Sequence, residues 1–499
     1  MRIVRRIDLA RGRNLTLGTL MEQVAAVHGS RTLVVEPDTG LALTMEEAAV
    51  LVDGWAAGVA QVTEPGDRVV IATPNGYEQL LLTLAVSRAG RVPAPVNAQM
   101  APGEIRHVVA DSGASLVIRH ATELPGTEHF GPAVPADPSS IGALFYTSGT
   151  TGKPKGAELT HAGLLGGMSL AALLPTELHR DELVLALPLA HIFGFAIAVG
   201  AACAGVPVHF LPRFHPVLVL DAIEERRATV FAGVPAMYRM LEEAGAAHRD
   251  LTSVRVWISG ADAMPSDLAH RFKRWGATAT LPLIGPVGEA TFAEGYGMVE
   301  TAGGVAVRVS PPLIPAALGG SMGVPLPGVR FKVVDADGQE VPIGGVGELW
   351  LTGRGVLKGY HGAPEATRGA LTDDGWLRTG DLARRGPLGI VNFEGRMKDV
   401  IKRGGYSVYA VEVEQALEEH PQVLEAAVVP VPDTRDGEVP VAAVRLAPGE
   451  TVESLDLPSW AAERLSRYKV PARFVAVAAL PRTGTDKVQR REVVALVTE

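Results

Sequence analysis

Short apolar runs alternate with helical patterns over the first 400 or so residues, and this alternation constrains the fold more than any other feature of the sequence. Residues 68–73 (RVVIAT) have the pattern of a buried strand, residues 77–89 that of a helix, and residues 115–119 that of another strand. This order is typical of parallel sheets, because parallel neighbours need a long crossover connection. The sequence therefore predicts an α/β fold with mostly parallel sheets.

Size and composition narrow the class of protein further. The chain has 499 residues, which allows about three domains. Its net charge of −9 is the opposite of the broad basic surface that nucleic-acid binding needs. The single cysteine, Cys203, rules out an intrachain disulfide, a cysteine-based zinc site and an iron–sulfur cluster. We therefore expect a globular protein of the reducing cytoplasm that does not bind nucleic acid.

Neither the N-terminus nor the most apolar segment predicts export or membrane insertion. Residues 1–17 contain five arginines and no following apolar region, unlike a secretory signal. The longest uncharged run, residues 192–208, contains three glycines and one proline. Its 17 residues are the lower limit for a spanning helix, so a buried core helix is the better interpretation. We expect no transmembrane segment.

The pattern changes twice in the last third of the chain. After residue 335, a turn signal at Asp337-Gly338 precedes short alternating strands, which predicts a small antiparallel β module. From residue 395 the predicted order is helix, strand, strand, helix and strand, at 411–419, 426–430, 439–446, 452–466 and 472–477. We therefore predict a large multi-subdomain α/β body over residues 1–394 and a smaller α+β domain over residues 395–499.

A loop rich in glycine and hydroxyl groups follows a predicted strand at residues 144–156 (LFYTSGTTGKPKG). Glycine lets the backbone approach a ligand closely, and free N–H groups and hydroxyls bind phosphate oxygens. Lys155 can add a positive charge. The P-loop pattern GxxxxGK[ST] fails, because only two residues separate Gly149 from Gly152 and Pro154 follows the lysine. A flexible linker is disfavoured, since linkers seldom follow a buried strand.

The string GGSMG at residues 319–323 matches the G-x-S-x-G nucleophile elbow of α/β-hydrolases. That motif requires a strand before the serine and a helix after it. Here no strong strand pattern precedes it and prolines follow it. A hydrolase is therefore disfavoured.

Seven motifs together resemble the adenylate-forming superfamily of acyl-CoA synthetases, adenylation domains and luciferases, in the order of that family. They are YTSGTTGKPKG at 146–156, PLAHIFG at 188–194, SGADAMP at 259–265, EGYGMVE at 294–300, DDGWLRTGD at 373–381, GRMKDVIKRGGYSVYAVEVE at 395–414 and PRTGTDKVQR at 481–490. The resemblance covers nearly the whole chain. It implies that residues 395–499 form a mobile lid on the large body.

The resemblance also implies which residues bind ATP. The β- and γ-phosphates would bind the loop, formed by Thr147, Ser148, Gly149, Thr150, Thr151, Gly152 and Lys155. Gly260, Ala261 and Gly297 would contact the nucleotide, and Tyr296 would stack on adenine. Asp381 would accept hydrogen bonds from the ribose hydroxyls, and Arg396 would hold ribose or phosphate. Glu300, with Thr150 as a second candidate, would bind Mg²⁺.

Four further roles follow from the resemblance. Lys487 would supply positive charge to the adenylation transition state, and Lys398 would be the hinge about which the lid rotates. The rotated lid would then present Lys402, Gly404 and Gly405 for thioester formation, while His191 would gate or line the acyl tunnel. Outside this motif set, Lys487 would be an ordinary solvated lysine and His191 a core histidine.

The chain departs from the family at four places. Val299 occupies the position of the threonine in YGxTE, and Asp486 replaces the glycine before the final lysine. Asp262 stands where small apolar residues are common beside the acyl pocket. Residues 278–292, rich in glycine and proline, are longer than the usual link. They either shape the acyl pocket or form a simple surface insertion.

The sequence therefore predicts an AMP-forming acyl-CoA synthetase with ATP and Mg²⁺ as cofactors and coenzyme A as co-substrate. The apolar region around PLAHIFGFAIAV favours a hydrophobic acid, and a fatty acid in particular, as substrate. One alternative is an adenylating enzyme that loads an acyl carrier protein. Another, suggested by Val299 and Asp486, is a catalytically weakened nucleotide- or acyl-binding relative. The oligomeric state stays open, a homodimer included.

Overall fold

The computed structural model describes most of the chain and divides it into two compact units. The described residues are 2–12, 14–97, 100–126, 129–147, 154–176, 180–281, 283–313, 321–404, 406–482 and 488–498. Unit 1 consists of Met1–Ala317, Gly323–Arg330 and Thr352–Leu377, and unit 2 of Leu318–Met322, Phe331–Leu351 and Arg378–Glu499. The second unit thus contains all of residues 395–499 together with part of the preceding chain. The predicted domain boundary after residue 394 stays a prediction.

Unit 1 is built on mostly parallel sheets. Nine strands among its described residues form the largest sheet, in the order β16-β15-β14-β11-β10-β8-β9-β1-β2. These are β1 (Thr32–Glu36), β2 (Leu41–Thr44), β8 (Leu183–Leu185), β9 (Val208–Phe210), β10 (Val230–Gly233), β11 (Val256–Gly260), β14 (Thr291–Met298), β15 (Gly303–Ser310) and β16 (Val324–Pro325). Its pairs from β14 to β1 are parallel, and its edge pairs are antiparallel.

The remaining described strands of unit 1 form three smaller sheets. A parallel sheet has the order β4-β3-β5, with β3 (Arg68–Ile71), β4 (Val92–Pro95) and β5 (Leu116–Ile118). Two antiparallel pairs are β6 (Ile141–Tyr146) with β7 (Gly156–Thr160) and β12 (Ala279–Leu281) with β13 (Gly285–Val287). The strands and the helix predicted within residues 68–119 are confirmed to within two residues at each end.

Helices connect the parallel strands, as the sequence alternation predicts. The described helices of unit 1 are α1 (Arg2–Arg11), α2 (Leu17–His28), α3 (Met45–Val62), α4 (Tyr77–Arg88), α5 (Pro102–Ser112), α6 (His161–Gly166), α7 (Ile192–Ala204), α8 (Pro216–Arg226), α9 (Pro235–Glu243), α10 (Ser266–Trp275) and α11 (Pro364–Ala370). The apolar run 192–208 forms α7 and β9 and is largely buried. In the part of the chain that is described, no helix combines the length and apolar character needed to cross a bilayer.

Aromatic side chains fill the core between the large sheet and its helices. Tyr238 of α9 contacts Phe272 of α10 edge to face at 4.9 Å between ring centroids, and Trp257 of β11 contacts Phe272 at 5.0 Å. Phe231 of β10 contacts both Tyr238 and Trp257. These rings are buried. Edge-to-face pairs of this kind add to the stabilisation that burial itself gives, so they fix the helices against the sheet.

The glycine- and proline-rich segment 278–292 forms an exposed hairpin in its described part. Strands β12 and β13 pair through Ala279 with Val287 and Leu281 with Gly285. Leu283 and Ile284, at the tip, are fully and largely exposed. This geometry agrees with the surface-insertion alternative, because the tip side chains lie in solvent.

Unit 2 begins with a four-stranded sheet of its described residues and continues into a five-stranded one. The first has the order β17-β18-β19-β20, with β17 (Arg330–Val334), β18 (Val346–Thr352), β19 (Leu377–Arg385) and β20 (Val391–Arg396). The second contains β21 (Val400–Arg403), β22 (Tyr406–Tyr409), β23 (Val423–Asp433), β24 (Gly437–Leu446) and β25 (Arg473–Ala476). The predicted turn at Asp337-Gly338 precedes β18, and Gly338 has the positive φ of 76° that such a turn needs.

The long pair β23 and β24 has a buried apolar cluster on each face. Helices α12 (Ala410–Glu418) and α13 (Leu457–Arg464) contribute to one cluster, and α14 (Arg490–Thr498) to the other. The predicted helix 452–466 begins only at Leu457. The reason is that Thr451 and Ser454 bond to each other's backbone N–H groups and so close a local turn, while Pro458 starts the helix. Helix α14 was not predicted.

Candidate functional site

A segment near residue 360 pairs with the strand that follows the glycine-rich loop. Tyr360 forms an antiparallel bridge with Ala157, and the N–H of His361 donates to the carbonyl of Gly156 at 2.8 Å. The Nζ atom of Lys155 consequently lies 5.3 Å from the centroid of the Tyr360 ring. The loop itself closes at its described ends, where the N–H of Thr147 donates to the carbonyl of Lys155 at 3.0 Å.

The same tyrosine contacts the predicted magnesium ligand. The Tyr360 hydroxyl donates a 2.8 Å hydrogen bond to Oε1 of Glu300, and burial together with this carboxylate raises the pKa of Tyr360. Glu300 lies in the 3₁₀ helix Val299–Thr301, and its carbonyl accepts from Leu357 at 2.9 Å. Lys155, Tyr360 and Glu300 are thus brought together. Lys155 and Glu300 could be predicted from the motifs, whereas Tyr360 lies outside all seven of them and was not predicted.

The donor set at Glu300 fits a magnesium ion shared with a substrate. Over the described residues, no group of three or more His, Cys, Asp and Glu side chains could enclose a metal ion. Mg²⁺ is often held by one or two carboxylates while phosphate oxygens and water supply the remaining ligands. A single carboxylate beside a lysine, as found here, fits that arrangement. The second candidate ligand, Thr150, lies outside the described residues.

The hydroxyl of Thr301 does not stand in for the threonine that Val299 replaces. Thr301 is buried, and its Oγ1 donates to the carbonyls of Met298 at 3.0 Å and Gly303 at 2.7 Å. It also accepts from the N–H of Met298 at 3.0 Å. These bonds hold the turn between β14 and β15, so the hydroxyl is committed to the backbone.

Two adjacent parallel strands carry the predicted nucleotide residues at their carboxyl ends. Gly260 of β11 lies opposite Gly295 of β14, immediately before Tyr296 and Gly297. A Cβ atom at Gly297 would lie 2.0 Å from the carbonyl oxygen of Gly303, so only glycine fits there. Ala261 has a φ of 70°, which turns the chain sharply as it leaves β11. The carboxyl ends of parallel strands are the usual position for ligand sites in α/β folds.

His191 caps the apolar helix α7. Its Nδ1 accepts from the N–H of Phe193 at 3.3 Å, and the Phe193 ring lies against Gly260. On the same helix, Ile192 and Ala196 lie against Gly303. The first turns of α7 therefore lie next to the strand ends that carry the predicted nucleotide-binding residues. Whether His191 gates an acyl tunnel stays a prediction.

A buried ion pair lies beside the same strand ends. Glu294 of β14 pairs with Arg308 of β15, and its Oε1 accepts from the N–H of Met264 at 3.3 Å. Burial raises the pKa of Glu294, and the nearby Asp262 carboxylate adds to this, while Arg308 opposes it. Asp262 was noted as a departure from the family, but the pair of Glu294 and Arg308 was not predicted. A charged residue inside the EGYGMVE strand was the available signal.

In unit 2, the two predicted ribose residues form a cross-strand pair. Asp381 of β19 lies opposite Arg396 of β20, and Arg396 Nε is 3.0 Å from Asp381 Oδ1. Asp381 is 1% exposed, and its N–H donates to Thr379 Oγ1 at 3.0 Å. A salt bridge of this length orients the carboxylate. Contact between this pair and a ribose stays a prediction.

The predicted hinge residue lies in a charged turn just after that pair. Lys398 belongs to the 3₁₀ helix Met397–Asp399. Burial lowers the pKa of Lys398, and the guanidinium groups of Arg396 and Arg490 lower it further. The carboxylates of Asp399 and Asp381 oppose this by raising the pKa. Arg490 of α14 reaches this turn through Asp399 at 3.3 Å. Hinge motion about Lys398 stays a prediction.

The predicted thioester-forming face contains the hairpin of β21 and β22. Lys402 is exposed, and its Nζ donates to Ser407 Oγ across the hairpin at 2.8 Å. Gly404 has a φ of 54°, and its N–H donates to the carbonyl of Asp436 at 2.8 Å. Gly405 lies outside the described residues, as do Ser148, Gly149, Thr151, Gly152 and Lys487.

The structure also bears on the hydrolase motif at residues 319–323. Ser321 forms an antiparallel bridge with Asn392 in unit 2, and the N–H of Met322 donates to the carbonyl of Val391 at 2.9 Å. After Ser321 the described chain continues through Gly323 into the short strand β16 rather than into a helix. The strand–turn–helix context of a nucleophile elbow is therefore missing after this serine.

Comparison with known proteins identifies the class. The family model described as AMP-binding enzyme matches residues 21–361, and that described as AMP-binding enzyme C-terminal domain matches residues 412–487. The chain therefore belongs to the AMP-binding enzyme family. The predicted superfamily, fold class and enzyme class are confirmed.

Individual relatives span almost the whole chain. A feruloyl-CoA synthase of Amycolatopsis sp is 36% identical over 485 residues, 91% of this chain and 94% of that protein. A fatty acid–[acyl-carrier-protein] ligase, ScoC, of Streptomyces coeruleorubidus is 32% identical over 88% of this chain and 87% of that protein. Among solved structures, o-succinylbenzoate CoA synthetase of Bacillus subtilis with its acyl-adenylate intermediate has a TM-score of 0.81 and 27% identity. That match covers 95% of this chain and 98% of the other.

Proposed function

We propose that this enzyme activates a hydrophobic carboxylic acid with ATP and transfers the acyl group to coenzyme A. In the first step a carboxylate oxygen of the acid attacks the α-phosphorus of ATP, and pyrophosphate leaves. In the second step the CoA thiol attacks the acyl carbonyl, and AMP leaves as the thiol proton is released. The grouping of Lys155, Tyr360 and Glu300 beside the ends of β11 and β14 is the observation that carries this proposal.

The residues of unit 1 would act by binding and orientation. The reaction brings two anions together, so positioned positive charge is the main requirement. Lys155 would contact a terminal phosphate, and Tyr360 would hold the Glu300 carboxylate in one orientation through its hydroxyl. Glu300 would hold Mg²⁺, which neutralises phosphate charge when bound. Tyr296 would stack on adenine at the end of β14.

The predicted residues of unit 2 would take part in both steps. Asp381, oriented by Arg396, would accept hydrogen bonds from the ribose hydroxyls. Lys487 would contribute charge in the first step, and Lys402, Gly404 and Gly405 would act in the second after rotation about Lys398. Two closed states would each keep water from the reactive mixed anhydride. We place this activity in the cytoplasm.

The Lys487→Ala variant tests this division of labour. Loss of one positioned charge is expected to slow acyl-adenylate formation by about 100-fold or more. Thioester formation from supplied acyl-AMP and CoA should persist, because the second step uses the other face of the lid. Pyrophosphate exchange measures the first step and acyl-CoA formation the second. An equal loss of both steps would contradict a two-state lid.

The apolar residues at the start of α7 support a hydrophobic substrate. The half-buried Phe193 lies against Gly260, and the buried Ile192 and Ala196 lie against Gly303, next to the predicted nucleotide residues. The relatives include a feruloyl-CoA synthase, a fatty-acid ligase and a sulfoacetate–CoA ligase, which are named for an aryl, a fatty and a short polar acid. Pyrophosphate release should therefore be screened with hydroxycinnamic acids, with fatty acids of graded length and with short polar acids. Turnover of short polar acids alone would overturn the hydrophobic class.

Two alternatives are separated by the same screen. The acyl-carrier-protein ligase among the relatives supports a carrier protein as acceptor, so each activated acid should be offered CoA and a carrier protein in parallel. Preferential loading of the carrier would replace CoA in the proposal. ATP binding with no pyrophosphate release for any acid would instead support a catalytically weakened binding relative, as Val299 and Asp486 suggest.

A further inference from the structure

The N-terminal helix α1 is held against a 3₁₀ helix that lies far away in the sequence, Ser169–Leu173. The guanidinium of Arg6 donates to the carbonyl oxygens of Ala172 at 2.8 Å and Leu174 at 2.7 Å. The Ser169 hydroxyl donates to the carbonyl of Ala10 at 3.2 Å. These bonds make α1 and the 3₁₀ helix one continuous surface of unit 1.

Helix α1 has two apolar sides, of which only one is buried. Leu9 and Ala10 pack into the core with exposures of 1% and 5%. Ile3, Val4 and Ile7 are spaced three and four residues apart, so they share a second side, and that side is exposed. Folding of unit 1 therefore does not use this second apolar side.

The neighbouring 3₁₀ helix and the residue after it add three exposed leucines to the exposed apolar side of α1. Leu170 and Leu173 are three residues apart, which places them on the same side of a 3₁₀ helix, and Leu174 follows. We call Ile3, Val4, Ile7, Leu170, Leu173 and Leu174 the α1 patch; each is between 37% and 73% exposed. Scattered exposed aliphatic residues are ordinary, but six on two adjoining elements mark an interaction surface.

The charge of helix α1 indicates which kind of partner the α1 patch binds. Arg5 and Arg11 are exposed and Arg6 is half-buried, against a single acidic residue of the helix, Asp8. The helix is thus locally positive in a chain whose net charge is −9. Aliphatic side chains flanked by arginines are the composition of helices that lie in the interface of an anionic bilayer. In a twofold dimer formed through this surface, the arginines of the two copies would face each other and repel.

We propose that the α1 patch docks unit 1 on the surface of an anionic phospholipid bilayer. The aliphatic side chains enter the boundary between headgroups and acyl chains, and Arg11 contacts lipid phosphates. Arg5 donates to the carbonyl of Ala26 at 2.9 Å and adds positive charge rather than a phosphate contact. Attachment is peripheral and reversible, because one short helix buries limited apolar area. The proposal is independent of the acid that the enzyme activates, since it concerns binding and not turnover.

Vesicle co-sedimentation of the full chain tests the proposal. Vesicles of phosphatidylcholine containing about one third phosphatidylglycerol are expected to bind several-fold more protein than pure phosphatidylcholine vesicles, and about 0.5 M salt should remove most of the difference. Val4→Asp and Leu173→Asp should each lower binding to the anionic vesicles about tenfold. Arg11→Glu should lower binding to anionic vesicles only.

Val50→Asp is the matched control, because Val50 is 71% exposed on α3 and lies outside the α1 patch. It should bind vesicles as the wild type does. All four variants should keep the wild-type melting temperature and pyrophosphate exchange rate, since the altered side chains are exposed. Absence of a preference for anionic vesicles, or equal loss in Val50→Asp, would overturn the proposal. Light scattering that shows a dimer dissociated by Val4→Asp, without vesicle binding, would overturn it in favour of self-association.

Discussion

The hydroxyl of Tyr360 donates a 2.8 Å hydrogen bond to Oε1 of Glu300, although 60 residues separate the two in the sequence. The bridge between Tyr360 and Ala157 places the same ring under Lys155. One tyrosine therefore connects the end of the glycine-rich loop with the carboxylate of the EGYGMVE motif. We expect this tyrosine to orient Glu300 rather than to take part in the chemistry itself.

Tyr360→Phe should weaken the response to magnesium. Removal of the hydroxyl frees the Glu300 carboxylate to rotate, and groups that orient metal ligands are commonly worth 10- to 100-fold in affinity or activity. We expect the Mg²⁺ concentration for half-maximal pyrophosphate exchange to rise about tenfold. Tyr238→Phe is the control, because this buried hydroxyl donates only to the carbonyl of Ile258 at 2.8 Å in the core. An unchanged magnesium titration for Tyr360→Phe would refute the orienting role.

Val299→Thr should accelerate acyl-adenylate formation. The Thr301 hydroxyl is committed to Met298 and Gly303, so it does not supply the hydrogen bond that a threonine at 299 would make to the α-phosphate. A hydrogen bond to a charged group is worth about 1.5–3 kcal/mol, so a gain of about tenfold or more in pyrophosphate exchange is expected. Val299→Ala lacks the hydroxyl and should not gain. A rate unchanged by Val299→Thr would mean that another group already fills this position.

Asp381→Asn should raise the KM for ATP without changing that for the acid. The substitution removes the charge that Arg396 orients and weakens acceptance from the ribose hydroxyls. The loss of a charge-assisted hydrogen bond, about 1.5–3 kcal/mol, corresponds to about a 10- to 100-fold rise. Asp335→Asn, in a turn of the same unit, serves as control. If both variants raise the KM equally, the ribose role is wrong.

Unit 1 should lose stability as the pH falls below about 6.5. Burial lowers the pKa of His161 to about 4, and its Nδ1 accepts from the N–H of Leu17 at 3.2 Å in the neutral form. The unfolded chain therefore binds a proton between pH 6.5 and 4 that the folded chain does not, and stability decreases over this window as pH falls. The full change in the free energy of unfolding is about 3 kcal/mol, because the pKa of one histidine differs by about 2.5 units between the folded and unfolded chains.

His161→Asn removes this titration while keeping an acceptor near the Nδ1 position. The free energy of unfolding, measured in denaturant at pH 7 and at pH 4.5, should differ less in His161→Asn than in the wild type. His209, whose pKa burial also lowers to about 4, contributes to the remaining slope. The exposed His120→Asn is the control and should retain the wild-type difference. A wild-type slope in His161→Asn would exclude this histidine as its source.

The class of the protein could be predicted from the sequence because its evidence is local. Strand and helix patterns over residues 68–119 depend on side-chain periodicity, and the structure confirms them closely. The motif residues Lys155, Gly260, Tyr296 and Glu300 could be selected from ordered strings, each with its own spacing. Helix starts were less predictable, as α13 shows, because the Thr451–Ser454 turn competes with the helix for the same backbone groups.

The sequence by itself determined the α/β fold class and the family, and it selected the candidate nucleotide residues, because periodicity and motif spacing are properties of short segments. Only the tertiary structure decided that Tyr360 joins Lys155 to Glu300, that Thr301 is committed to a turn, and that Glu294 is buried against Arg308. It also decided which side of α1 is left exposed. These facts depend on contacts between segments distant in the chain, and burial and hydrogen-bond partners exist only once those segments have packed.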